Sequence, residues 1–321
     1  MKMELPTCDQ TARNGASPPA ELSSLSLSGA LELFQKEAQF GIFDNDRYRC
    51  PYWVWGEGPP LLWIHGLADD TQSFVLPLSR LSKHFRCIAY DLPNHQGDGA
   101  RLGGYRHHHF AEDAVALLDH LNVERAYLFG SSFGSTIVLR LLHASPQRFP
   151  RAILQGGFAK RTLEPSERVM ALFARYLPGQ MHHVPYHHYM SEYLHRPSFS
   201  VTTTDVWDYY VARSGSYPMA AVARRALIMH GTDLRNLLPE IQQPVLLMCG
   251  EEDPLVGKDC EEVLMRGLPN WRRAGIEGCG HLPYFTHAEI LAELVRQFLT
   301  PLPCQVPSPN SEQDGCCPGM A

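Results

Sequence analysis

The chain predicts an α/β fold: a mostly parallel sheet with helices on both faces. Three observations carry the prediction. Short, unbroken apolar runs recur along the chain, as in Leu61-Leu62-Trp63-Ile64, and a run without polar alternation marks a strand buried on both faces. Between them lie stretches with apolar residues at helical spacing, such as Ala114, Leu117, Leu118 and Leu121. The runs end in glycine or small polar residues, as His65-Gly66, Gly130-Ser131 and Gly156-Gly157, where a strand turns back toward a helix.

Taken in order, residues 1–26 are rich in Ser, Pro, Ala and Asn and read as a disordered arm. Gly29 to Gln39 carries a short amphipathic pattern, read as a helix. Tyr48 to Val54 reads as a strand, Gly56 to Pro60 as a turn, and Leu61 to Ile64 as a buried strand. Asp70 or Thr71 is placed to cap a helix reaching about Ser82. Arg86 to Tyr90 is the next strand, and His107-His108-His109 precede a helix over Phe110 to Leu121. Tyr127 to Phe129 runs into a helix ending near His143, and Arg151 to Gln155 follows as a strand. From Phe158 to about Glu240 the rhythm breaks into a mostly helical segment rich in aromatic residues, His and Arg. It resumes with a strand at Pro244 to Cys249, a helix over Cys260 to Arg266, a strand at Trp271 to Ile276 and a helix over Ala288 to Leu299. Residues 301–321 are polar and Pro-rich and read as a flexible tail.

Composition narrows the function. The 321 residues are 44% hydrophobic and 19% charged, a soluble globular balance with ample length for a large core. A net charge of -6 gives no reason to expect nucleic acid or an anionic membrane as a partner. No run of about eighteen apolar residues predicts a membrane span. The N-terminal stretch lacks the apolar region of a secretory signal. Nine scattered cysteines read as reduced thiols of a cytoplasmic protein. Oligomeric state is left open.

The chemistry centres on Ala126 to Ser135, AYLFGSSFGS. Only Ser132 has glycines at both offsets of G-x-S-x-G; Ser131 and Ser135 are off-frame. A serine on a sharp strand-to-helix turn needs small neighbours, and the turn lifts its hydroxyl clear of the sheet. It also aims the Phe133 N–H at the place where an oxyanion would form. Functional groups of parallel sheets gather at the carboxyl ends of strands. There the chain offers His65-Gly66-Leu67, Ser132, Asp253 and Gly280-His281, in the order Ser…Asp…His.

These segments carry a resemblance. LLWIHGL, IAYDLPNHQGDG, LFGSSFGS, VLLMCGEEDPLV and GCGHLPYFTHAE resemble, in order, the motifs of the α/β-hydrolase family, over Tyr48 to Leu299. The resemblance implies an eight-stranded-type sheet formed by residues 27–157 and 241–300, with residues 158–240 as a helical cap inserted after the sixth strand. It implies Ser132 as nucleophile, Asp253 as the acid and His281 as the base, with the N–H groups of Leu67 and Phe133 as the oxyanion hole. Glu252 and His287 are the rival acid and base. The loop Asp91-Leu92-Pro93-Asn94-His95-Gln96-Gly97 departs from the family's D-x-P-G-H-G, which concerns the course of that loop.

Such a trio acts together. A serine hydroxyl is a poor nucleophile until an imidazole takes its proton, and the imidazole needs a carboxylate on its other nitrogen. A serine at the elbow argues against relatives that use aspartate there, the epoxide hydrolases and haloalkane dehalogenases. The expected activity is a serine hydrolase, carboxylesterase-like, that cleaves a small, moderately apolar ester or related acyl substrate through a Ser132 acyl-enzyme. Proline-iminopeptidase-like action, C–C bond hydrolysis, acyl transfer, or ligand binding without catalysis are the alternatives. Aromatic residues Tyr186, Tyr189, Tyr193, Trp207, Tyr209 and Tyr210 of the cap segment fit either an acyl pocket or simple packing. No cofactor or metal is expected, because the histidine clusters at 107–109, 182–183 and 187–188 are sequence neighbours whose side chains diverge.

Overall fold

A computed structural model describes residues 25–94, 98–184, 187–199 and 204–300. The expected arm, apart from Leu25 and Ser26, lies outside the described residues, as do the tail, His95 to Gly97 and Tyr186.

Eight strands form one sheet: β1 (Gln39–Asp44), β2 (Arg49–Trp55), β3 (Pro60–Ile64), β4 (Arg86–Tyr90), β5 (Tyr127–Ser131), β6 (Ala152–Gln155), β7 (Val245–Gly250) and β8 (Trp271–Ile276). Their spatial order is β1-β2-β4-β3-β5-β6-β7-β8. The β1–β2 and β2–β4 pairs are antiparallel and the remaining pairs parallel. Leu62 pairs with Leu128 and Phe129 with Ile153, so the apolar runs lie side by side at the centre.

Strand side chains alternate between faces, so a sheet covered on both faces needs apolar residues at every position. Leu62, Ile64, Leu128 and Leu154 join a core with α3 (His107–His120), α4 (Phe133–Ala144) and α9 (Lys258–Gly267). Leu61, Trp63, Phe129 and Ile153 face the other way, into a core with α1 (Leu27–Glu37), α2 (Val75–Leu81) and α11 (Ala288–Leu299). Each such side chain contributes roughly 1.5–3 kcal/mol by burial. Between β6 and β7 lie α5 (Pro165–Ala174), α6 (His187–His195), α7 (Thr204–Ser216) and α8 (Met219–His230), and the short α10 (Pro283–Thr286) precedes α11.

Several local expectations shift. The first helix starts at Leu27, capped by the Ser26 hydroxyl, and ends at Glu37; β1 takes the following residues. β1 is an edge strand with Phe40 59% exposed, so it carries no buried run to betray it. Asp70 caps as expected, but the first turn after it, Thr71–Phe74, is 3₁₀ rather than α. His107 to His109 form the first turn of α3 instead of preceding it.

Candidate active site

The β5–α4 turn holds Ser132 at φ 51°, ψ -117°, a left-handed conformation that a side chain adopts only when its surroundings impose it. The imposing contacts are visible at the flanking glycines. A Cβ on Gly134 would stand 2.2 Å from the carbonyl oxygen of Ile64, and one on Gly130 would stand 2.6 Å from that of Gly134. Strand and helix approach too closely for any other residue at either position.

Gln155, at the end of β6, braces this turn. Its carbonyl oxygen accepts the Ser132 N–H at 2.8 Å, and its side-chain oxygen accepts the Ser131 hydroxyl at 2.6 Å. Its side-chain amide donates to the carbonyl oxygen of His281 at 3.1 Å. One fully buried side chain thereby links the serine turn to the histidine loop.

His281 Nδ1 lies 2.7 Å from Asp253 Oδ2, and both side chains are buried. The other carboxylate oxygen accepts the N–H groups of Leu255 at 2.8 Å and Val256 at 3.0 Å. Burial by itself raises the Asp253 pKa, but the His281 contact and these two N–H donors outweigh it and hold the carboxyl below its ordinary range. His287, the rival base, contacts the Thr286 hydroxyl instead. Ser132 and His281 line one largely apolar cavity of about 360 Å³, with Leu67, Phe158, Tyr210 and Met229 among its other walls. Among the described residues no hydrogen bond joins the Ser132 hydroxyl to His281, whose Nδ1 is taken by Asp253.

The loop after β3 is held by its carbonyls. His65 Nε2 accepts the Leu92 N–H at 2.9 Å, which leaves Nδ1 to carry the proton and donate to the Gly66 carbonyl at 2.8 Å. Burial, with the Arg225 charge nearby, pushes the His65 pKa down to about 3, so the ring stays neutral. The Gly66 carbonyl and the Leu67 N–H share one planar peptide and point in opposite directions. His65 therefore sets the direction of the Leu67 N–H. Arg225 of α8 grips the next peptide: its guanidinium donates to the carbonyls of Leu67 at 2.9 Å, Leu92 at 2.9 Å and Pro93 at 3.0 Å. Neither the Leu67 nor the Phe133 N–H donates to another backbone group among the described residues. Asp69, at the cavity wall, accepts the Tyr284 hydroxyl at 2.8 Å, and burial raises its pKa.

The family profile described as the alpha/beta hydrolase fold matches residues 59–288. The chain belongs to the alpha/beta hydrolase family. It is 26% identical to an uncharacterized hydrolase of Bacillus subtilis, over 74% of this chain and 89% of the relative. It is 24% identical to the poly(3-hydroxyalkanoate) depolymerase of Ectopseudomonas oleovorans, over 75% of this chain and 84% of the relative. Among solved structures, a thermophilic esterase from Thermogutta terrifontis superposes with a TM-score of 0.69 at 23% identity, covering 82% of this chain and 98% of that one. At that identity the likeness concerns the alpha/beta hydrolase fold alone.

The histidine clusters take separate positions. His107 is buried, donates from Nε2 to the Thr136 hydroxyl at 2.8 Å and accepts Arg140 Nε at 3.0 Å on Nδ1. His109 accepts the Arg106 N–H, and His182 contacts the Gly215 carbonyl. Among the described residues no three His, Cys, Asp or Glu side chains converge as metal ligands would. Of the aromatic residues beyond β6, Trp207 and Tyr210 are buried, whereas Tyr189 and Tyr193 are exposed.

Sequence reasoning missed Gln155, Arg225 and Asp69 and read His65 only as part of a motif. Arg225 did leave a signal. It lies four residues from Ala221 and four from Met229, on the stripe α8 buries, and a charge on a buried stripe calls for a partner.

Proposed function

We propose that this alpha/beta hydrolase is a serine hydrolase that cleaves esters of small, moderately apolar acids through an acyl-enzyme on Ser132. The observation that carries the reading is the strained Ser132 in an apolar cavity shared with His281, itself bonded to a buried, ionised Asp253. Ester chemistry is in keeping with the names of the depolymerase and the esterase among its likenesses.

In this reading His281 takes the hydroxyl proton as Ser132 attacks the ester carbonyl. Asp253 holds the imidazole in the tautomer with Nδ1 protonated and stabilises the imidazolium. The oxyanion receives the N–H groups of Leu67 and Phe133, each worth roughly 3 kcal/mol of barrier. Collapse expels the alcohol with the proton from His281, and water then cleaves the acyl-enzyme by the same steps in reverse. The helices of residues 158–240 act as a cap, closing the cavity over the acyl group with apolar side chains such as Met181 and Met229. The five free thiols among the described residues suit a cytoplasmic protein.

Labelling with a fluorophosphonate probe, read by intact mass, tests the assignment. One adduct on the wild-type protein and none on a folded Ser132→Ala variant is expected. Equal labelling of both, or ester turnover retained by Ser132→Ala, refutes it.

A further inference from the structure

His195 ends α6 and lines the cavity that holds Ser132 and His281. Only 9% of it is exposed, and its Nδ1 is buried with no hydrogen-bond partner among the described residues. A buried ring nitrogen without a partner is destabilising unless another group comes to meet it. Packing alone would be served better by an apolar residue of similar size.

Its surroundings form the polar side of an otherwise apolar cavity. The ring stacks edge-on against Tyr210 of α7, with centroids 5.4 Å apart. Ser191 lies one turn before it on α6 and Ser214 one turn beyond Tyr210 on α7, and both also line the cavity. Each serine hydroxyl already donates to a carbonyl of its own helix, to His187 and Val211 respectively. Both serines are therefore engaged, and among the described residues His195 Nδ1 has no partner. Burial pushes its pKa down to about 4, with the nearby charges of His281 and Asp253 as smaller influences. It is therefore a neutral hydrogen-bonding group, close to His281, and does not compete with His281 for the proton.

On the acyl-enzyme reading given above, the leaving alcohol departs against His281, which returns the proton to it. We infer that His195 anchors a polar subsite for the leaving group, and that the preferred substrates are esters whose alcohol carries a second hydroxyl. A hydroxyl both donates and accepts, so it satisfies a neutral imidazole nitrogen in either tautomer. A site built to bond a hydroxyl discriminates strongly against the analogue that lacks it, because the buried polar atom is then left bare.

The test is a matched pair, 2-hydroxyethyl butanoate and propyl butanoate, which exchange a hydroxyl for a methyl of similar size. Turnover is measured for wild type, His195→Leu and His195→Asn, whose amide reaches the Nδ1 position. Dissociation constants for both esters are measured on Ser132→Ala with and without His195→Leu, with thermal melts for every variant. Wild type should favour the hydroxyethyl ester by roughly tenfold or more in kcat/KM, and the Ser132→Ala protein should show the same preference in binding. The preference should fall to about one in His195→Leu and recover in part in His195→Asn. If His195→Leu fails to fold, a wild-type preference that shrinks in His195→Asn stands in its support. No preference in wild type, or a preference that survives His195→Leu, overturns the inference. A His195-dependent preference in binding, without turnover of either ester, would support the subsite and count against the acyl-enzyme.

Discussion

The guanidinium of Arg225 donates to the carbonyl oxygen of Leu67 at 2.9 Å, so a helix inserted between β6 and β7 is bonded directly to the loop that follows β3. The same group holds the carbonyls of Leu92 and Pro93, and the Asp91 carboxylate acts on it as a countercharge. Burial lowers the Arg225 pKa to about 10, which leaves it charged at neutral pH.

Replacing Arg225 by Met should therefore do two things. It strands three carbonyls and removes the countercharge of Asp91, for a loss of about 3 kcal/mol or more in urea unfolding. It also frees the Leu67 peptide; on the proposed oxyanion role of its N–H, a contact made only in the transition state, kcat should fall roughly tenfold to a hundredfold while KM changes less. Arg225→Met with wild-type kcat would show that the loop keeps its shape unaided.

Gln155→Leu keeps the volume but cuts the link between the Ser131 hydroxyl and the His281 carbonyl. Stability should drop by roughly 1–3 kcal/mol, with a fall in kcat of about tenfold or more. Gln155→Glu should restore the acceptor for Ser131 but not the donor for His281, so it should recover little activity. Thermal melts and ester kinetics on the two variants check this.

Ser132 sits at φ 51° without being glycine. Ser132→Gly should raise stability by about 1 kcal/mol or more, since glycine enters that region without strain. Ser132→Ala should not, although both substitutions should abolish turnover. Calorimetric melting of the three proteins decides it; a Gly variant no more stable than the Ala variant would mean that the turn stores no strain.

The buried histidines set the acid response. Burial, with the Arg140 charge second, pushes the His107 pKa to about 3, well below the roughly 6.5 of an unfolded chain. The unfolded chain thus binds a proton between about pH 6.5 and 3 that the native protein refuses. The stability His107 supplies is complete above about pH 6.5 and is lost as pH falls below it, by up to about 1.4 kcal/mol per pH unit. His65 behaves alike, with a pKa also near 3. His107→Gln, whose side chain can still meet Thr136 and Arg140, should flatten the decline measured by urea unfolding from pH 7 to 4. An unchanged slope would mean that His107 is reached by solvent and protonated in the native state.

The sequence by itself determined the elements whose causes are local. Leu61 to Ile64 and Val245 to Met248 are apolar at every position because both faces of a central strand are covered, and such runs are legible without knowing the neighbours. The glycines around Ser132 are legible for the same reason: a tight strand-to-helix turn excludes a Cβ wherever it occurs. Ser132 and Asp253 could be read because each follows a strand of that kind, whereas β8 before His281 is exposed and polar, and His281 was legible from the glycines around it and its place in the motif order. Tertiary structure alone decided the rest. The edge strand β1 is exposed and leaves no buried pattern, so pairing with β2 is what makes it a strand. Gln155 and Arg225 are single polar residues whose partners lie 126 and 158 positions away, at His281 and Leu67. A buried polar side chain must find a partner, but which one depends on where the sheet brings the chain back, and nothing in the neighbouring residues records that.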